Sequence, residues 1–438
     1  MEKKPIKNKI TKRTYIQVEG ELASPLLAGS GEDDFSDMDI LRDYKGTPFL
    51  AGTAVAGACR QWLDTNGMDE TAIDSLFGAR KNEEIKQVRD LFQSRIFISD
   101  LQFTDPKTTI RDHVKLTKNK TTDNMGKFDI EVIETGTPFI MRFEYIERDG
   151  TGEHHDNKLI QAIISGINHG ELTFGGKTNR GYGKLKVNKV KEKEFHYTNT
   201  KTVEDWLEWS WKDICKEESS LDKYTEKEKQ FDEVEVPLKI KQTLLIRDYK
   251  TNEDDYTYLR ANNKPVIPGT TWAGAFRHRL QQIAREIRDN PKIPEKKLED
   301  IFGSKHDKNQ TNPSRLTFEE SVIEEATPFK ITRNAIDRFS GATIDGALFT
   351  SEVVCKGKTS LVIRWRKDSC YDPIIKGILH WLIQDLMHGF LAIGGETAVG
   401  RGVFELDGEN DPVKDWHIYQ KSALTWIKDG AKHGTGTV

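Results

Sequence analysis

The sequence predicts an α+β protein of two tandem ferredoxin-like units. Three observations carry this reading: an internal repeat, a shared order of strand and helix patterns in the two halves, and an amphipathic helix late in each half. Gly52-Thr53-Ala54-Val55-Ala56-Gly57-Ala58-Cys59-Arg60 is matched 217 positions later by Gly269-Thr270-Thr271-Trp272-Ala273-Gly274-Ala275-Phe276-Arg277. Both read G-T-x-x-A-G-A-x-R. The run HGELTFGGKT from His169 is matched 219 positions later by HGFLAIGGET from His388, and Gly181 and Gly183 by Gly400 and Gly402. Phe128–Val132 resembles Phe349–Val353 at an offset of 221. A near-constant offset across separate motifs marks a duplication.

Each half then reads in the same order. A β-type run (Thr14 to Val18; Leu238 to Ile246) leads into a polar loop. The G-T-x-x-A-G-A segment opens a helix that Thr53 or Thr270 is placed to cap. Strand-like runs follow at Phe139 to Tyr145 and Ser360 to Trp365. Apolar residues at helical spacing come next, Leu159, Ile160, Ile163, Ile164 and Ile167 in one half and Ile374, Ile375, Ile378, Leu379, Leu382 and Ile383 in the other. Each set makes one buried helical face that stops at a glycine, Gly170 or Gly389. A Gly-rich loop and a last short strand close the unit. The boundaries expected are 1–191 for the first unit, 192–233 for a charged linker with a short helix bearing Trp206, Trp209 and Trp211, and 234–438 for the second.

Of 438 residues, 36% are hydrophobic and 31% charged, and 20 Phe, 11 Tyr and 9 Trp suffice for two cores. No stretch approaches the roughly 20 apolar residues of a membrane span. The start, MEKKPIKNKITKR, has no apolar core of a signal peptide, so a cytoplasmic protein without membrane partners is expected. The four cysteines form no CxxC pair, which argues against a zinc ribbon or a disulfide framework. A net charge of −4 speaks against a uniformly basic nucleic-acid binder. Local field decides binding, however, and Lys177, Arg180, Lys184, Lys186, Lys189 and Lys191 are clustered.

The Gly-rich loops GGKTNRGYG and GGETAVGRG allow a ligand close to the backbone at Gly176 and Gly395 and lack Walker spacing. Lys177 and Arg180 in the first loop and Arg401 in the second suggest a phosphodiester partner. Arg60 and Arg277, on the first helix of each unit, are placed to pair with an acid, reach solvent or hold a phosphate. Upstream, Asp37 and Asp255 each precede an arginine (Arg42, Arg260) by five positions, with Asp39 and Asp254 as competing alignments. A carboxylate there could hold a divalent cation such as Mg²⁺ or help activate a 2′-hydroxyl. With an ordinary pKa of about 3.9, Asp needs a metal or a strong shift to act as a base near neutrality. His113 is a weaker acid/base candidate, and His169 and His388 read as helix caps.

In order, D-x-x-x-x-R, [PA]-G-T-x-x-A-G-A-x-R and G-G-x-T-x-x-G-x-G resemble the RAMP superfamily of CRISPR-associated RNA-binding proteins. The likeness is strongest to backbone subunits of type III effector complexes, and the fused pair looks like the double-backbone subunit of type III-D. The resemblance implies RRM-like cores, each with a thumb-like β-hairpin insertion, at about Thr109 to Glu131 and Ile331 to Glu352. It implies a CRISPR RNA guide, a complementary target RNA and other subunits of the complex as partners. It also implies a metal-dependent endoribonuclease, with Mg²⁺ at Asp37 and Asp255, and guide contacts from Arg60, Arg277, Lys177, Arg180 and Arg401. A non-catalytic scaffold and a stand-alone guide-processing ribonuclease are the alternatives. Two departures stand out: Ala51 where the family often has proline, and Val399 at the position of Arg180.

Overall fold

The computed structural model describes residues 9–30, 38–78, 93–116, 122–149, 153–197, 200–224, 230–248, 256–288, 295–303 and 314–428. By packing, the chain divides into Met1–Thr178 with Tyr182–Lys229, and Asn179–Gly181 with Gln230–Val438.

In the first unit the strands are β1 (Ile10–Leu22), β2 (Phe49–Leu50), β3 (Ile96–Ile98), β4 (Leu101–Phe103), β5 (Thr108–Leu116), β6 (Thr122–Ile133), β7 (Pro138–Arg148) and β8 (Leu185–His196). The helices are α1 (Gly52–Thr65), α2 (Glu70–Phe77), α3 (Glu153–Asn168) and α4 (Thr200–Glu208). β1 is central, antiparallel to β7 and β8. The period-2 alternation of a strand sends Ile16, Val18 and Leu22 to one face. There they meet Phe139, Met141 and Phe143 of β7, Val55, Cys59 and Leu63 of α1, and Ile163, Ile164 and Ile167 of α3.

The second unit contains β9 (Phe231–Ile240), short strands β10 (Thr243–Leu244), β11 (Arg247–Asp248), β12 (Thr257–Tyr258), β13 (Arg260–Ala261) and β14 (Lys264–Ile267), then β15 (Leu316–Phe318), β16 (Ser321–Val322), β17 (Thr327–Ile336), β18 (Thr343–Cys355), β19 (Lys358–Arg366) and β20 (Phe404–Leu406). Its helices are α5 (Gly269–Arg288), α6 (Glu295–Phe302), α7 (Asp372–Met387) and α8 (Gln420–Lys428). The sheet order β15-β19-β9-β20 repeats β3-β7-β1-β8 of the first unit, the ferredoxin-like arrangement. Trp272 and Phe276 of α5 and Ile378, Leu379 and Leu382 of α7 cover it. The hairpins β5–β6 and β17–β18 stand where the thumb-like insertions are expected.

Three local expectations change. The strand expected over Leu238 to Ile246 lies earlier: β9 alternates Val234, Val236, Leu238 and Ile240 inward. The buried run Leu244-Leu245-Ile246 belongs to the irregular segment beyond it. Thr53 does not cap α1; that helix starts after Ala51 without a side-chain cap, and the Gly52 N–H donates to Asp100 Oδ1 at 2.7 Å. His388 does take the C-cap of α7, its ring Nδ1 lying 2.8 Å from the Gln384 carbonyl oxygen.

The described part of the charged stretch read as a linker, up to residue 224, packs on the first unit instead. β8 continues through His196, α4 follows, and Trp206, Trp209 and Trp211 cover the face of β1 opposite the helices. Tyr15 is the anchor. Its ring lies 4.5 Å from Trp209 and 5.4 Å from Trp211, and its hydroxyl accepts from Trp206 Nε1 at 2.7 Å. Arg13 and Arg142 stack on Trp206 and Trp211. The chain then runs along β8, with Lys191 bridging Ser219, and buries Tyr224 on the helical side. Covering an edge strand in this way also removes a template for unwanted pairing. Tyr15→Ala should therefore lower unfolding free energy by about 3 kcal/mol. It should also expose the Trp segment to protease, which urea denaturation and limited proteolysis will read.

Candidate nucleic-acid interface

The Gly-rich loops are built alike in both units. The Gly176 N–H donates to the Leu27 carbonyl oxygen and the Gly395 N–H to that of Leu245, each at 2.8 Å. These two amides, expected to face a ligand, are therefore spent inside the fold, on the segment just after the first strand. The strict demand for glycine falls on the residue before each, Gly175 and Gly394, at φ +77° and +88°, where a Cβ would clash with the same two carbonyl oxygens.

The first-helix arginines also turn inward. Arg60 forms an ion pair with Asp74 of α2. Arg277 donates to the Gly303 carbonyl oxygen, just past α6, at 3.2 Å. Both tie the first helix to the second within their own unit, at equivalent positions. Each guanidinium is thus a clamp between two helices, through an acid in one unit and a backbone carbonyl in the other.

The loops carrying the candidate aspartates behave differently. Asp37, Asp254 and Asp255 lie outside the described residues, but their neighbours are placed. The Glu131 N–H of β6 donates to the Met38 carbonyl oxygen at 3.0 Å, and the Glu352 N–H of β18 to that of Tyr256 at 2.8 Å. The same glutamates pair with the motif arginines, Arg42 with Glu131 and Arg260 with Glu352. The residue after each aspartate is thus pinned to its thumb-like hairpin by the same backbone bond and the same ion pair. This register equates Asp37 with Asp255 and sets Asp39 apart. Asp39 is buried, and its carbonyl accepts from the Ser30 N–H at 2.9 Å.

In the second unit an arginine cluster forms beside Tyr256. Glu396, in the Gly-rich loop, accepts from Arg333 of β17 through both oxygens (2.7 and 2.6 Å) and from Arg401 at 2.6 Å. Arg247 Nη2 lies 3.9 Å from it, and the Arg247 guanidinium stacks 4.3 Å from the Tyr256 ring centroid. Burial opposes the charge on Glu396, but hydrogen bonds from Arg333 and Arg401 outweigh it and hold its pKa below the ordinary carboxylate value. Arg401 is only 5% exposed and also donates to Thr243 Oγ1 at 3.1 Å, and so ties the loop to β10. Sequence reading passed over Arg247, Arg333 and Glu396. Their one signal was Glu396 standing where the repeat has Lys177.

In the first unit Lys177 lies with its Nζ 4.5 Å from the Phe128 ring centroid, and His113 stacks on the same ring. Arg180 is exposed. Two of the six clustered basic residues, Lys186 and Lys191, are engaged by Glu21 and Glu19, and the nearby Lys193 by Glu217. Among the described residues no group of three or more His, Cys, Asp or Glu side chains could hold a metal ion. No helix of the described residues is long and apolar enough to cross a membrane.

Comparison with curated proteins gives no match. The family model for the RAMP superfamily matches twice, over residues 20–186 and 238–405. Those spans hold both hairpins, both Gly-rich loops and the helices α1, α3, α5 and α7, and the chain belongs to the RAMP superfamily as two such units fused in one polypeptide.

Proposed function

We propose that this chain is a backbone subunit of a type III CRISPR ribonucleoprotein, binding the CRISPR RNA guide and cleaving complementary target RNA at Asp37 and Asp255. The observation that carries the catalytic part is the repeated anchoring of the aspartate loops. A side chain used once has many explanations, but the pairing of Arg42 with Glu131 and of Arg260 with Glu352 holds two acidic loops to two hairpins in one geometry. In this reading each hairpin wedges the guide–target duplex open, and the adjacent aspartate acts on the strand so exposed.

The second hairpin suits that task. Asp337 Oδ1 accepts from the N–H groups of Phe339 and Ser340 and so shapes the tip. Phe339 is fully exposed there, with Ile336, Ile344 and Leu348 exposed along the strands. An aromatic side chain at a hairpin tip can stack against a displaced base.

The test is to purify the native protein under mild salt and sequence the RNA it carries. Guide RNAs sharing one repeat-derived segment support the reading, and an RNA-free protein in a cell expressing the repeat array contradicts it. Arg42→Ala and Arg260→Ala are each expected to slow cleavage at their own position about tenfold, in line with a misplaced catalytic group, while guide binding holds. Product mapping on a long target RNA reads both.

A further inference from the structure

The two units differ where their Gly-rich loops meet their hairpins. Glu396 and Lys177 are equivalent: each follows the glycine bonded to the first-strand segment, and both adopt left-handed backbone angles, φ 54° and 57°. Arg333 and His113 are equivalent too, since each pairs across its hairpin with a phenylalanine, Phe349 or Phe128. Arg401 answers Tyr182, and Arg247 answers Gly29. At these four positions the first unit has one lysine, a histidine, a tyrosine and a glycine, where the second has three arginines and a glutamate.

The arginine cluster is not neutralised. Three guanidiniums surround one carboxylate, and the Nε atoms of Arg247 and Arg333 are buried without a hydrogen-bond partner. Arg247 is held flat against Tyr256 and Arg333 against Phe349. Guanidiniums fixed on aromatic faces, with donors left over, suit an anion presenting two oxygens in a plane. A carboxylate does this, and so does a phosphodiester.

We infer that Arg247, Arg333 and Arg401 form a phosphodiester site of the second unit, and that Glu396 fills it as an internal stand-in until an RNA phosphate takes its place. This rests on the RNA-binding reading above and adds to it a built-in competitor that the first unit lacks. Exchange costs little in hydrogen bonds, because one bidentate anion replaces another. The displaced Glu396 side chain gains water, and the two spare Nε donors become available to the ribose-phosphate strand.

The experiment is fluorescence-anisotropy titration of a labelled single-stranded oligoribonucleotide into the full chain at several salt concentrations. Glu396→Gln is expected to tighten binding roughly tenfold and to steepen the dependence of log K on log salt by about 0.7, one further phosphate contact. Glu396→Lys, which copies the residue the first unit tolerates at this backbone conformation, should tighten it at least as much. Arg333→Ala should weaken binding and cancel the gain in the double variant. If the wild-type chain binds RNA but Glu396→Gln and Glu396→Lys bind no better, Glu396 merely pins the hairpin and the inference fails alone. If the wild-type chain binds no RNA at all, the RNA-binding reading fails and takes the inference with it.

Discussion

Asp37→Ala is expected to erase one target-RNA cleavage product and Asp255→Ala another, each by at least about 100-fold, with guide RNA still bound. The size follows from what a carboxylate can do in phosphodiester cleavage. Proton transfer by a positioned side chain contributes roughly 10²–10⁴-fold, and loss of a metal ligand removes charge stabilisation on a similar scale. The independence of the two effects follows from the duplication: each loop is tied to its own hairpin through Met38 or Tyr256. Chelation of divalent cations should stop both cuts at once. Asp39→Asn is the control, because Asp39 is buried and lies two residues past the equivalent position, so cleavage should stay near wild type. Unchanged products from both alanine variants would instead leave a scaffold, with guide binding as the chain's whole contribution.

How far the sequence reaches depends on whether a feature is local. The helix faces of α3 and α7 were legible because burial repeats every three to four residues, and Ile163, Ile164 and Ile167 are indeed core. The duplication was legible because glycines needed by a backbone path cannot drift. The run Leu244-Leu245-Ile246 misled because continuous apolar residues fit a buried loop as well as a strand. Here they lie beneath the second Gly-rich loop, and Leu245 accepts from Gly395.

The site was harder to read, for a related reason. An arginine advertises a phosphate only if nothing nearer claims it. Asp74 claims Arg60 from fourteen positions away, and Glu396 claims Arg333 across sixty-three. Spacing within a motif says nothing about such partners. The D-x-x-x-x-R pattern picked out a loop whose arginine pairs with a glutamate of the hairpin in both units. The Trp-bearing stretch read as a linker because its charge is high and its helix short. Its three indoles meet Tyr15, Arg13 and Arg142, partners on β1 and β7 that lie far away in the sequence.

The motif glycines separate into two kinds, and alanine should tell them apart with opposite signs. Gly183 and Gly402 close the Gly-rich loops at φ +77° and +75°. A Cβ there would lie within the van der Waals radius of the carbonyl oxygen of Phe174 or Ile393, and 2.8 Å from that carbonyl carbon. The clash is with backbone, which is itself committed: Phe174 donates to the Gly183 carbonyl and Ile393 to the Gly402 carbonyl, each at 2.9 Å. Left-handed strain of about 1–3 kcal/mol adds to a packing conflict of about 1–3 kcal/mol. Gly183→Ala or Gly402→Ala should thus cost about 4 kcal/mol, a large share of a domain's usual 5–15 kcal/mol, and urea denaturation should show it. Gly57 and Gly274 are the contrast. They sit inside α1 and α5, exposed, and a methyl group added at either would meet nothing within 4 Å. Helix propensity favours alanine there by about 0.8–1 kcal/mol, and no contact among the described residues explains glycine at both places. On the proposed reading, close approach of a bound strand would. Gly57→Ala and Gly274→Ala should raise stability slightly while weakening guide binding several-fold, and a gain in stability with unaltered binding would return these two glycines to chance.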